Sequence, residues 1–376
     1  MAERASLREA MESPLQSEHQ KLDAQFGTWF GVTLPSGYDA LETEWSRARE
    51  SVVVFDTGYH VVFELAGPDR ARYLNAVTSG DVNGLAAGQG TPGLLLNPQG
   101  HILADLETYA LENRFLVTSH ASVGQRTLET LDKFIIMDDC MLTAVTERWA
   151  SCAVGGPRAT EALLAASGVA FDSLPLFEHR AARVAGVECR VLRRAYFGAA
   201  GAEILAPRES IVPVWQALLE AARRAGGGAI GWDAVNALRI EERARWFGYD
   251  FDDTVIPHEA GIENTHISYT KGCYTGQEIV ERVRSRGRLN RWLSLLEFSG
   301  DAAPERGAKL LADGKEWGHV TSAAYSPERK GVIGFGYLRR EHNRAGDELQ
   351  CAARTARVIE SPASEPKHAY RPGACA

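Results

Sequence analysis

The octapeptide Lys271-Gly272-Cys273-Tyr274-Thr275-Gly276-Gln277-Glu278 puts a thiol two residues from an ammonium. A neighbouring cation favours the thiolate, and flanking glycines let the backbone turn tightly around it. Cys273 and Lys271 are therefore candidate catalytic residues. The alternative for Cys273 is the small buried core residue that most isolated cysteines are. One cysteine cannot hold a complete iron–sulfur cluster, which usually needs four ligands. Any cluster or persulfide role is then transient, shared with a partner, or a matter of redox signalling.

Directly downstream lie Arg282, Arg284, Arg286, Arg288 and Arg291. They read as a solvated strand edge or loop, or as an anion-binding surface. Glu241 comes near the end of a helix beginning at Asp233, with Val235 and Leu238 on its apolar face. Helical counting puts Glu242 nearer the middle of that face and Glu241 at its edge. Glu241 also reads as a surface carboxylate paired with Arg239 or Arg245. His101, His258 and His266 lack metal-ligand spacing and read as turn or core residues. Trp232, Trp246, Phe247 and Tyr249 read as core, with stacking on a ligand as the other use of such rings.

A chain of 376 residues, 45% hydrophobic and 24% charged, is long enough for two or three cored domains. No early apolar run suits a signal peptide or a membrane span, so a soluble, cytoplasmic protein is expected. The cysteines at 140, 152, 189, 273, 351 and 375 lack the density of a disulfide scaffold or the spacing of a zinc site. A formal charge of -8 argues against broad nucleic-acid binding.

Residues 1 to about 30 read as an amphipathic helix, followed by a loop with Pro35 and Gly37. The fold proper starts near Ala40, with a helix over Leu41–Glu50 and strands at Ser51–Asp56 and Val61–Leu65. Gly67-Pro68-Asp69 opens a helix that buries Tyr73, Leu74 and Val77. Asn97-Pro98-Gln99-Gly100 joins Leu94–Leu96 to Ile102–Tyr109 as a hairpin. A strand at Phe115–Thr118, a helix over Val123–Ile136 and a strand at Met141–Val145 complete a split β-α-β unit of ferredoxin-like type.

The same order recurs more faintly. Ser151–Val154 is a strand, Pro157–Ala166 a helix, Val187–Arg193 and Glu203–Ala206 paired strands, and Ile211–Ala225 a helix ended by Gly226-Gly227-Gly228. From Leu289 only strands follow, at Trp292–Phe298, Trp317–Tyr325, Val332–Leu338 and Leu349–Ile359, which make a small barrel or sandwich. The expected divisions are an extension over 1–38, α+β units over 39–148 and 149–288, a β-barrel over 289–360 and a loose tail over 361–376.

Lys271–Glu278 resembles the K-G-C-Y-x-G-Q-E signature of the YgfZ family of folate-binding proteins, relatives of the glycine-cleavage T protein and of folate-dependent demethylases. Weaker anchors are Val54-Phe55-Asp56, Tyr196 with Gly198 and Gly201 before Glu203-Ile204, Leu238-Arg239-Ile240-Glu241 leading to Phe247-Gly248, and Tyr325-Ser326-Pro327. The resemblance, over roughly residues 35 to 360, implies two α+β units and a barrel arranged around a central tetrahydrofolate channel. It implies that Glu241 hydrogen-bonds the pterin, with Asp105, Asn97, Tyr196 and Arg239 as further cofactor-binding positions. An ionised carboxylate accepts only, which suits the N–H donors of a reduced pterin.

T proteins carry two consecutive acids in the hairpin, the first assisting one-carbon transfer. Here the first is Ala104 and only Asp105 remains. Successive strand residues face opposite ways, so Asp105 does not replace its neighbour unless a bulge intervenes. The implied role is support of iron–sulfur protein maturation or repair and, through those enzymes, tRNA modification. Folate, iron–sulfur assembly factors and client enzymes are then the partners. The alternative is a folate-dependent aminomethyltransferase or demethylase, and a third class is an interaction scaffold built on the arginine stretch.

Overall fold

The computed structural model of the chain describes residues 11–287 and 289–361. Residues 362–376 of the tail expected over 361–376, with Cys375, and Arg288 and the first ten residues lie outside them. The fold is mixed α+β with a closed six-stranded barrel near the C-terminus. Two compact units interleave along the sequence. The first takes residues up to Phe63, His120–Gln125 and Ala144–Val235; the second takes Glu64–Ser119, Arg126–Thr143 and residues from Asn236 onward.

The first unit holds a six-stranded sheet in the order His179–Val184, Val187–Tyr196, Ala199–Pro207, Trp149–Gly155, Val53–Asp56, Gly228–Ala229. Val53–Asp56, from the earlier of the two expected α+β segments, pairs with Trp149–Gly155 and Gly228–Ala229 from the later one. Its residues are buried throughout, as the unbroken apolar run requires of a central strand. Helix Ile211–Arg224 turns Ile211, Val214, Trp215, Leu218 and Ala222 inward at helical spacing, into one core with Val54, Cys152 and Ile204.

From residue 11 onward the expected N-terminal helix is not formed. Among the described residues of this segment only Gln16–Gln20 is helical, while Met11–Glu12, Val32–Gly37 and Gln25–Trp29 make a three-stranded sheet. Phe30 and Gly31, at φ 53° and 79°, turn the chain there into a hairpin. Buried polar bonds also hold the segment: His19 Nε2 lies 2.8 Å from Asp56, Tyr38 hydroxyl 2.8 Å from His19 Nδ1, and Ser13 donates to Asp56.

In the second sheet the order is Gly90–Leu96, Ile102–Ala110, Arg114–His120, His60–Ala66, Met141–Ala144. Helix Arg70–Val77 buries Tyr73, Leu74 and Val77 as the periodicity demands. Arg282, Arg284 and Arg286 of the arginine stretch lie in a helix, Gln277–Arg286, closed by Gly287 at φ 61°, and not in a strand edge or loop, while Arg291 opens strand Arg291–Phe298. Arg282 and Arg284 meet Glu278 and Glu281 one turn away, and this charge spacing is what a helix face rewards.

The barrel closes in the order Arg291–Phe298, Gly331–Arg339, Lys315–Ser326, Lys309–Ala312, Glu348–Cys351, Arg354–Glu360. Two of these strands come from the expected single run Leu349–Ile359, broken where Ala352 adopts φ 53°. Lys309–Ala312 and His179–Val184 escape pattern reading because flanking charges blur their alternation.

Candidate functional site

The Lys271–Glu278 loop is clamped on both sides of its thiol. Lys271 Nζ donates to the carbonyls of Thr78 and Gly80, each at 2.6 Å, and lies 5.3 Å from the Tyr274 ring centre. Burial pulls this amine down to about 8 against the weaker pull of Asp81. Tyr274 is buried. Gly276, at φ 84°, leaves no room for a side chain, since a Cβ there would lie 2.7 Å from the Asn97 carbonyl oxygen. Between these anchors Cys273 is exposed. The ammonium's hydrogen bonds thus go to backbone carbonyls, not to the thiol. Gly272 is open on all sides, with nothing within 4 Å of an added Cβ.

Asn97 spends its side-chain oxygen inside the hairpin turn, accepting from the amides of Gln99 and His101 at 2.9 Å each. Beyond the turn the register does shift, so that Leu95 faces Ala104 while Leu96 faces Ile102. The shift precedes Ala104, and the alternation after it is regular: Ile102, Ala104 and Leu106 are buried, with Leu103, Asp105 and Glu107 on the other face. Asp105 therefore does not take Ala104's place. It meets a residue that sequence reading set aside as turn or core, His266, whose Nε2 lies 3.4 Å from Asp105 Oδ1.

Glu241 ends helix Trp232–Glu241. It is buried while Glu242 is exposed, the reverse of what the periodicity ranks. Tertiary contact decides this, because Ser326 of the barrel donates to Glu241 Oε1 at 2.6 Å. Arg239 is buried too. Its guanidinium donates to Asp250, to the Ala244 carbonyl at 3.1 Å and to Asn236 Oδ1 at 2.9 Å, and it covers the Trp246 ring at 4.3 Å. Asp250 also accepts from Thr321 at 2.9 Å, from Ser322 at 2.5 Å and from the Trp246 amide at 3.0 Å. No sequence spacing announced Asp250, which ties this helix and loop to barrel strand Lys315–Ser326. Phe247 packs on Phe251, and Tyr249 lies edge-on to Trp246.

A reduced pterin presents both N–H donors and a carbonyl acceptor. Glu241 supplies a buried acceptor, and Arg239 Nη2 is a buried donor without a protein partner among the described residues. The donor set fits that group.

In the first unit, Tyr196 lies edge-on to Phe55 with ring centres 5.0 Å apart, and Trp232 donates to the Asp56 carbonyl at 3.0 Å. Sequence reading missed Glu203 as a charged centre. His60 Nδ1 lies 2.8 Å from Glu203 Oε1 and Arg194 lies 3.6 Å from Oε2, with Thr57 donating at 3.3 Å. Burial alone would raise this carboxyl. His60, then Arg194 and Ser151, outweigh burial and hold it at about 2. A charged residue inside an otherwise apolar strand run, Glu203 before Ile204-Leu205-Ala206, was the available signal.

Residues 15–268 match the GCVT N-terminal domain, and residues 291–365 match the glycine cleavage T-protein C-terminal barrel domain. The chain is 26% identical over 352 residues to an aminomethyltransferase of Caldanaerobacter subterraneus subsp. tengcongensis, covering 93% of each. It is 29% identical over 342 residues to an aminomethyltransferase of Phocaeicola vulgatus, covering 90% of this chain and 94% of the relative. The crystal structure of the glycine cleavage system aminomethyltransferase T from Bartonella henselae superposes with a TM-score of 0.84 at 24% identity, over 94% of this chain and 97% of that one, and shares its fold. Two family domains covering most of the sequence, in the order and with the barrel seen here, mean that the chain belongs to the glycine cleavage T-protein family.

Proposed function

We propose that the chain binds a tetrahydrofolate and works in folate-dependent one-carbon transfer, as an aminomethyl or methyl transferase. The aminomethyltransferases of this family use tetrahydrofolate, which when bound supplies the nitrogens that carry the one-carbon unit. The carrying observation is the paired supply at one helix end of a buried acceptor, Glu241, and a buried donor, Arg239 Nη2. Glu241 would accept from the pterin N–H groups, and Arg239 would donate to its carbonyl. Asp250, Thr321 and Ser322 fix the guanidinium, so little ordering remains to be done on binding. Calorimetry with tetrahydrofolate tests this directly: micromolar binding that Glu241→Gln weakens about tenfold or more is expected, roughly the loss of one charge-assisted hydrogen bond. Absence of binding to the wild-type chain would sink the reading.

A second reading has its own observation. Ala104 removes the hairpin acid expected for transfer, while Cys273 stands exposed between two anchored residues with open space at Gly272. That favours a YgfZ-like role, in which the chain supports maturation or repair of iron–sulfur enzymes and thereby tRNA modification. Assembly factors or client enzymes would be its partners, and Cys273 a sulfur or cluster contact. Complementation with Cys273→Ala separates the two: loss of iron–sulfur enzyme activity with folate binding retained supports the second, and unchanged activity removes it.

A further inference from the structure

The five-stranded sheet ends in two edges that are held differently. At strand Gly90–Leu96 the Ser79 amide donates to the Leu94 carbonyl at 3.0 Å, its hydroxyl oxygen accepts from the Leu94 amide at 2.8 Å, and Thr78 bridges to Leu95. That edge is covered. At Met141–Ala144, the other edge, no turn or loop of the described residues hydrogen-bonds the backbone. The strand also lacks the charge or proline that usually blunts an exposed edge. Ile136, Met137 and Met141 are 81%, 91% and 65% exposed. They are three of the five large apolar side chains that the described residues leave in solvent, and they gather at the start of this edge. Such a cluster beside an open edge marks an interaction surface.

The Val145 amide donates to the Val62 carbonyl at 2.9 Å and the Asp69 amide to the Asp139 carbonyl at 3.2 Å, so the edge strand runs antiparallel to His60–Ala66. Backbone groups alternate along such a pair, and those of Val145, Thr143 and Met141 therefore turn inward. Leu142 and Ala144 turn theirs out. A second copy fits this edge through a two-fold axis beside Thr143, normal to the sheet. Such an axis keeps every residue on its own face. It sets Leu142 of each copy opposite Ala144 of the other as hydrogen-bonded pairs, and Thr143 opposite itself as a close pair without those bonds. On one face a large side chain meets a small one, and on the other two threonines make a favourable cross-strand pair. No charge lies at the axis. Beyond it Asp138 is already met by Arg72 at 2.8 Å and Glu147 stands next to Arg148, so the flanks add little repulsion.

We propose that strand Met141–Ala144 is the interface of a two-fold dimer of this chain, which joins two five-stranded sheets edge to edge and draws the apolar cluster of each copy toward the other. The occupant is a second copy because its own strand already carries the matching face, size and charge at every paired position. A strand of four residues makes a smaller contact than the roughly 800 Å² per partner of a standard interface, so the dimer is weak, with a dissociation constant of about 10–100 µM. The inference stands independently of the folate reading.

Sedimentation velocity of the full chain from about 1 to 200 µM tests this, and the mean mass should climb from monomer toward dimer across that range. Thr143→Lys sets two like charges against each other at the axis, and Ala144→Pro deletes an outward N–H that the sheet itself does not use. Each should weaken the dimer about tenfold or more, Thr143→Lys with an unaltered thermal melt. A chain that stays monomeric throughout, or a dimer that persists in both folded variants, overturns the interface. Cross-linking locates the axis. The Cα atoms of a close antiparallel pair lie about 4.5 Å apart, within disulfide reach. In a background of Cys140→Ser, Cys273→Ser and Cys375→Ser, a mild copper oxidant should therefore cross-link Thr143→Cys about tenfold faster or more than Lys315→Cys, an exposed position on the barrel. Equal rates overturn the axis beside Thr143.

Discussion

Among the described residues carboxylate–histidine pairs occur at His19–Asp56, His60–Glu203 and His266–Asp105, and the last two differ in how they are held. Glu203 and His60 are almost sealed, with side-chain exposures of 2% and 11%, and Arg194, Thr57 and Ser151 close around the carboxylate. Asp105 and His266 keep 20% each. A carboxylate sealed in this way is out of reach of a ligand and works as internal support. One that keeps part of its surface exposed stays open to exchange with solvent. The difference lies in how far each acid is buried, not in the residue types.

The largest expected effect falls on the sealed pair. Glu203→Ala leaves His60 and Arg194 without their counter-charge and should lower unfolding free energy by about 3–5 kcal/mol in urea titration. A loss below about 1 kcal/mol would erase the distinction between the pairs. The pH windows should also separate. Glu203 drops from an ordinary 4.5 to about 2 on folding, so its contribution is complete above pH 4.5 and disappears as pH falls toward 2. His266 is raised on folding from an ordinary 6.5, so its contribution is complete below pH 6.5 and disappears as pH climbs through the raised value. Chemical denaturation across pH 2 to 9 should show Glu203→Gln flattening the acid limb and His266→Gln flattening the neutral-to-alkaline one.

Asp105→Asn should cost only about 1 kcal/mol, since the pair is part-exposed and the amide keeps an acceptor. A larger loss would make Asp105 a support like Glu203. The same contrast extends to two glycines of the thiol loop. Gly276→Ala forces a left-handed residue against the Asn97 carbonyl and should cost about 1–3 kcal/mol in thermal or urea unfolding. Gly272→Ala meets open space and should stay within about 0.5 kcal/mol. Should it nonetheless slow labelling of Cys273 by a bulky disulfide reagent, the glycine serves access to the thiol and not the backbone.

Much of this molecule is written locally. Turn residues and periodicity set the hairpin at Asn97–Gly100 and helices Leu41–Glu50, Arg70–Val77 and Ile211–Arg224, because each depends on neighbours within about ten residues. The N-terminal segment reads falsely as helix because its strands are stabilised by pairing with one another and by Asp56, which is distant in sequence. Arg282 and Arg284 read falsely as strand or loop because their glutamates, one turn away, count only once the helix exists.

The sequence by itself determined which reactive groups exist: an octapeptide that places a thiol among glycines, an alanine where an acid was expected, and a glutamate after Leu238-Arg239. Tertiary structure alone decided what they face. Lys271 turned to the carbonyls of Thr78 and Gly80, Ser326 drew Glu241 inward, and His266 came to Asp105 from about 160 residues away. Periodicity fixes which face of an element a side chain takes, but the partner on that face comes from a distant part of the chain, and its charge and donors set the chemistry.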